Sequence, residues 1–138
     1  KLLSVAVDHA RRWAQNGLLL IGDAAHAMSP LGGVGINYAI QDAVAAANIL
    51  VPAFRAGDLS LPVLERVQAR RGRAVKRMQK LQVFIQDKAL SPLLSKSEGG
   101  ISMPWFLRLF ALLPVLRRIP AYVIGIGFGP EHVRIDFR

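Results

Sequence analysis

Apolar and polar positions along this chain change period several times, and each change marks a candidate element. Leu2–Val7 is apolar with a single Ser and reads as a strand. The connection Asp8–Trp13 follows, with Trp13 expected to pack beneath the next strand. A Gln15-Asn16-Gly17 turn leads to Leu18–Ile21, a short continuous apolar run of the kind found in a strand buried on both faces of a sheet. Gly22 ends that strand, which puts Asp23 at its carboxyl edge. A loop holding Pro30, Gly32, Gly33 and Gly35 then leads into Ile36–Leu50, an Ala-rich helix. Within the helix Asn37, Gln41 and Asn48 fall near one narrow stripe, with Asp42 beside it as a solvent-facing or capping residue. The other positions are Ala, Ile, Val or Leu, so most of the circumference is expected to be buried. Ala43, Ala45, Ala46 and Ala47 would allow close approach to a sheet. Pro52 ends the pattern, and Arg55–Asp58 is a turn.

The second half is helical in its periodicity. Ser60 suits an N-cap, and Pro62 falls in the first turn, where a missing donor costs little. Leu64, Val67, Ala74, Met78, Leu81 and Ile85 recur at helical spacing, predicting one amphipathic helix over 61–90 with Gly72 as a weak point. Ser, Gly and Pro from Leu90 to Pro104 read as a loop. Residues 103–128 are apolar but interrupted by Pro and Arg, which suggests short helices packed as a cap or lying on a membrane. Val133–Phe137 could pair as a strand. The expected organisation is 1–55 as one unit and 56–138 as a mainly helical region.

Charge changes the picture in one place. The net charge is +9, and Arg66, Arg70, Arg71, Arg73, Lys76, Arg77, Lys80 and Lys88 fall between Leu61 and Leu90 against only Glu65 and Asp87. No aromatic residues interleave these cations as a base-stacking surface requires, so a solvated face, or one meeting acidic parts of a longer protein, is favoured over a nucleic-acid footprint. The absence of cysteine excludes disulfides and thiol chemistry. His9 and His132 have no second ligand at metal spacing, so no metal site is expected. No uninterrupted apolar run reaches the roughly 18–20 residues of a membrane span.

The candidate chemistry lies between Gly17 and Leu50. Gly32, Gly33 and Gly35 let the backbone approach a ligand closely. The amides of Gly35, Ile36 and Asn37 are first-turn donors at the positive end of the helix dipole. A carboxylate at Asp23 offers only acceptors, which suits a pair of sugar or polyol hydroxyls. His26 could act as a general base, but its place among alanines favours a structural role. Ser29, near Asp23 and His26 in sequence, is no sign of a hydrolytic triad, and the Met28–Ser29 pair reads as packing.

The run GDAAHAMSPLGGVGIN closely resembles the second flavin-binding motif of the FAD-dependent aromatic-hydroxylase-type monooxygenases. The likeness covers Leu18–Leu50, and Val7-Asp8…Arg12-Trp13 looks like the family's approach to that strand. It implies an α/β fold: the C-terminal portion of a Rossmann-like FAD-binding domain, followed by a mainly helical tail. It also implies an incomplete fragment, since the family's N-terminal GxGxxG loop has no counterpart here. By the same resemblance Asp23 would meet the ribityl chain of FAD, Pro30 would sit beside the flavin ring, and the amides of Gly35, Ile36 and Asn37 would meet its pyrimidine edge, with Gly22 and Gly33 also among the FAD-binding residues. The implied activity is NAD(P)H- and O2-dependent oxygenation of a small aromatic or lipophilic substrate through a flavin hydroperoxide, with no catalytic acid or base in this piece. The expected partner is the missing N-terminal part of the same polypeptide. The expected location is the cytoplasm, with peripheral membrane contact if the apolar tail faces lipid. The alternatives are an FAD-dependent reductase or dehydrogenase of the same fold, or a non-catalytic basic module binding membrane or nucleic acid.

Overall fold

A computed structural model describes residues 7–87 and 118–134. Its frame is a helical hairpin. The first helix, α1, runs Gly35–Arg55 and the second, α2, runs Leu61–Ile85. A five-residue link joins them, short enough to turn the two helices back on one another. Gly57 (φ 72°) stops α1: the Asp58 amide donates to the Ala53 carbonyl at 2.9 Å and the Gly57 amide to Phe54 at 3.1 Å. These two bonds and the left-handed glycine form a Schellman stop. Pro52 does not end α1, which continues one turn past it. So close to the C-terminus, proline removes one hydrogen bond without stopping the helix.

Ser60 occupies the N-cap of α2, but its hydroxyl makes no cap bond. Instead Asp58 Oδ1 accepts from the Ser60 amide at 3.0 Å, and the Ser60 carbonyl receives the first helical bonds. Val63, Leu64, Val67, Ala74, Val75 and Met78 are buried along α2, as its periodicity predicts. Arg66, Arg70, Arg73, Lys76, Arg77 and Lys80 are exposed, whereas Arg71 is 1% exposed.

The segment before α1 lies against this hairpin. Its two strands, β1 (Ala14–Gln15) and β2 (Leu18–Leu19), form a small antiparallel hairpin with Ala14 opposite Leu19. The expectation of a strand at 18–21 buried on both faces is therefore corrected. Leu18 is 50% exposed, while Leu19 and Leu20 pack one side of the turn against the core. A two-stranded ribbon has one packed face, and no third strand lies beside it among the described residues. Trp13 is buried in that core with Ala25, Met28, Val34, Tyr38, Ala74, Val75 and Met78.

The burial of α1 also departs from expectation. Tyr38, Asp42, Ala45 and Ala46 are buried, but Ile36, Ile40 and Phe54 are 73%, 59% and 62% exposed. Ala45 and Ala46 are buried, and the main element packed against α1 among the described residues is α2, not a sheet. By length and composition alone Leu31–Arg55 could cross a membrane. Its midpoint Asp42, however, is wholly enclosed by polar partners from the rest of the chain.

A third helix, α3 (Arg118–Gly125), precedes an irregular stretch that folds back over α1. The Asn37, Gln41 and Asn48 stripe is what receives it. Their side-chain amides donate to the carbonyls of Gly125, Ile126 and His132 at 3.2, 2.8 and 2.8 Å. Asn48 also accepts from the Arg134 amide at 2.9 Å. Gly127 (φ 82°) passes so close to Tyr38 that a Cβ there would lie 2.8 Å from the ring. The Phe128 amide donates to the Tyr38 hydroxyl at 2.8 Å. Residues 130–134 are irregular, and most of the expected strand Val133–Phe137 lies outside the described residues. The expected strand at 2–7, the loop at 90–104 and the short helices over 103–117 fall wholly or largely outside the described residues.

Candidate functional site

The turn after β2 and the start of α1 meet on one open face. Gly22 (φ 58°) is buried, and a Cβ there would stand 3.1 Å from Ala39 Cβ, so the turn is pressed onto α1. Asp23 follows in a short 3-10 turn, Gly22–Ala24, and is exposed. Its Oδ1 lies 3.9 Å from where a Gly35 Cβ would be. Pro30, Gly33 and Ile36 are exposed, and Gly35 and Asn37 are partly so. Folding thus brings a carboxylate from before the loop to the first residue of the helix after it.

That helix start is open to a ligand. Gly32 (φ 81°) and Gly33 (φ 62°) bend the preceding 3-10 turn, and the N-cap, Val34, offers no side-chain acceptor. The Val34 carbonyl accepts from the Tyr38 amide at 3.1 Å. The amides of Gly35, Ile36 and Asn37 precede that bond and are orphan first-turn donors. The Asn37 side chain is committed to Gly125, so its backbone amide is the group left for a ligand. Donors at a positive helix end beside an acceptor-only carboxylate fit a molecule with hydroxyls and an electron-rich edge.

Behind this face lies a buried ionic centre at Asp42. The carboxylate is wholly buried, which corrects its reading as a solvent or capping residue. His26 Nε2 donates to it at 2.5 Å, Arg71 Nε at 2.9 Å and the Gly22 amide at 3.1 Å. Burial raises the carboxyl pKa, but the bonds from His26 and Arg71, aided by the His26 charge and the Gly22 amide, outweigh it. The group lies below the ordinary carboxylate range. Arg71 spends its remaining donors on the Gly129 carbonyl at 2.7 Å and Gln41 Oε1 at 3.1 Å, and its guanidinium stands 5.6 Å from the Tyr38 ring centroid. One carboxylate therefore ties together the glycine before Asp23, both helices and the C-terminal segment.

Three glutamines of α2 hold the segment before α1 by its backbone. Gln68 donates to the Arg11 carbonyl at 2.9 Å and accepts from the Trp13 amide at 3.0 Å. Gln79 donates to the Asp8 and Ala27 carbonyls at 2.7 and 3.0 Å, and Gln82 to Ser29 and Leu31 at 2.9 and 3.0 Å. Sequence reasoning passed over these residues and Arg71. The available signal was register: Arg71 stands four residues after Val67 and seven before Met78, on the apolar side of the helix. A guanidinium there requires a buried carboxylate.

His26 is 1% exposed, and its Nδ1 is buried without a partner, between the Trp13 and His9 rings at 5.1 and 6.5 Å. With Nε2 held by Asp42 and Nδ1 out of solvent, the imidazole braces the turn and presents no base to the open face. Burial, then Lys76 and His26, push His9 below the ordinary imidazole range. Ser29 and Met28 are buried packing residues.

Residues 1–87 match the family described as FAD binding domain. The chain is 51% identical over 137 residues to a 6-methylpretetramide 4-monooxygenase from Streptomyces rimosus, covering 97% of this chain and 31% of that protein. It is 46% identical over 65 residues to a 3-demethoxyubiquinol 3-hydroxylase from Escherichia coli, covering 46% and 17% of the two chains. It is 31% identical over 136 residues to a ubiquinone hydroxylase from Rhodospirillum rubrum, covering 95% and 31%. The chain thus spans at most about a third of the length of these relatives.

Proposed function

This chain belongs to the FAD binding domain family, and from that premise we propose that it supplies the ribityl- and flavin-facing part of an FAD-dependent aromatic hydroxylase. The observation that carries the reading is the exposed Asp23 carboxylate beside the uncapped start of α1. In this reading Asp23 accepts from ribityl hydroxyls, with Gly22 setting its position. The Gly35, Ile36 and Asn37 amides face the pyrimidine edge of the ring, where the helix dipole stabilises negative charge. Pro30 and Gly33 line the approach to the ring. When bound, the flavin supplies the redox and oxygen chemistry, with NAD(P)H as reductant and O2 as oxidant, while the protein orients it and tunes its charge. The names of the relatives, a pretetramide monooxygenase and ubiquinol and ubiquinone hydroxylases, support an aromatic or quinone-type substrate.

The test is Asp23→Ala in the polypeptide that carries this segment. A hydrogen bond to a charged group contributes roughly 1.5–3 kcal/mol, so FAD should bind at least tenfold more weakly at an unchanged thermal midpoint of the apoprotein. His26→Gln should do the reverse, lowering that midpoint through the Asp42 centre. Unaltered flavin affinity in Asp23→Ala would refute the assignment.

A further inference from the structure

The outer face of α2 carries a row of cations that the proposed flavin site does not use. Arg66, Arg70, Arg73, Arg77, Lys80 and Phe84 recur at steps of three and four, so they line up along one side of the helix over about 27 Å. All six are exposed, and Lys76 stands beside the row. Only Arg70 has an anionic partner among the described residues, Glu131, bound through two bonds of 2.7 and 3.0 Å. Arg66–Arg70, Arg73–Arg77 and Lys76–Lys80 are like charges at i,i+4, a spacing that destabilises a helix when nothing anionic lies nearby. The row therefore works against its own helix unless a partner neutralises it.

The end of the row differs in chemistry. His9, Lys76, Gln79, Lys80, Val83 and Phe84 line an open groove of about 430 Å³. Both ring nitrogens of His9 are out of solvent, and the neighbouring Gln79 amide is spent on two backbone carbonyls. The lining is almost wholly apolar, with Lys76 and Lys80 flanking Val83, 42% exposed, and Phe84, 58% exposed. A row of cations ending in an exposed apolar groove fits anionic headgroups with an apolar phase behind them. A nucleic acid would instead use aromatics spread along the row for stacking, and the row has none before Phe84.

We propose that this face of α2 docks on an anionic phospholipid surface, with Arg66, Arg73, Arg77 and Lys80 over the headgroups and Val83 and Phe84 in the interface. The contact is independent of Asp23 and of flavin binding, so either assignment can fail alone.

Flotation of the polypeptide carrying this segment, with phosphatidylcholine vesicles with and without phosphatidylglycerol, tests it. Binding should require the anionic lipid and weaken as salt is added. Each cation near such a surface contributes about fivefold in partitioning, so Arg73→Gln with Arg77→Gln should lose about 25-fold. Phe84→Ser should shed the part of the binding that survives high salt. All three side chains are exposed, and the arginine changes relieve repulsion, so circular dichroism should show an intact fold. The wild-type salt dependence needs no variant at all. Equal flotation on neutral vesicles, indifference to the substitutions, or a gel shift with duplex DNA in place of flotation would overturn the proposal.

Discussion

Replacing Asp42 by Asn keeps the shape of the side chain and removes the charge at the centre of the fold. Three donors converge on the carboxylate, from His26, Arg71 and the Gly22 amide. An amide oxygen in place of Oδ2 can serve His26 and the Gly22 amide, but its NH2 then faces Arg71. Arg71, 1% exposed, would keep a positive charge with only Glu131 Oε1, 4.0 Å away, as counter-ion. Breaking a buried ion pair by removing one partner costs roughly 3–5 kcal/mol. For a domain of this size that corresponds to a drop of roughly 6–20 °C in thermal midpoint. The assay is equilibrium denaturation of the polypeptide that carries this segment, followed by far-ultraviolet circular dichroism, with Asp23→Asn as an exposed control expected to stay within about 0.5 kcal/mol. Arg71→Met alone should cost a similar amount to Asp42→Asn. Asp42→Leu combined with Arg71→Met should recover much of the loss, because two apolar side chains need no counter-charge. A cost below about 1 kcal/mol for Asp42→Asn, or single effects that simply add in the double variant, would refute the claim that this pair organises the core.

The same structure fixes four further outcomes. Gly127→Ala should destabilise strongly, since its Cβ would meet the Tyr38 ring at 2.8 Å from a left-handed backbone; proteolysis should then release the C-terminal segment first. Gly72→Ala should stabilise by about 1 kcal/mol in a denaturant melt, because the added methyl meets only Gln68 Cγ at 3.9 Å and the helix loses its most flexible residue. Asp42 is held below its ordinary pKa, so its contribution is complete above the unfolded value of about 3.9 and vanishes as pH falls through the lower folded value. Acid unfolding of Asp42→Asn should lack that component. The 138-residue chain mixed with FAD and passed through a desalting column should emerge without stoichiometric flavin, since no phosphate loop precedes the Asp23 turn.

What the sequence made legible was set by how local each feature is. The start of α1 at Gly35, the extent of α2 as far as Ile85 and the turn at Arg55–Asp58 all follow from signals within a few residues: the glycines, Pro62 and an apolar period of 3.6. Asp23 and Gly35 were each marked by local signals, but their approach across the eleven residues between them is a property of the fold. Leu18–Ile21 misled for the same reason. An apolar run states that burial is available without saying how many strands provide it, and in the described residues one packed face serves.

Asp42 was misread because a single acid in an Ala-rich helix was weighed against that helix alone. Its partners come from 16 and 29 residues away, His26 and Arg71, and no local pattern joins those three positions. Each did leave a trace within its own element. Arg71 occupies an apolar register of α2, with Gln79 and Gln82 four residues beyond the buried Val75 and Met78. A polar residue in a core register promises a partner elsewhere, and here each promise resolves onto the segment before α1 or the carboxylate that holds it. Gln68, Gln79 and Gln82 take the segment's backbone carbonyls, and Arg71 takes the carboxylate that holds Gly22. The polar stripe of α1 does the same for the C-terminal segment through Asn37, Gln41 and Asn48. The two helices therefore act as a scaffold whose inward polar side chains fix irregular backbone. That arrangement lets a glycine-rich loop stand beside a helix end with its own donors left over for a ligand.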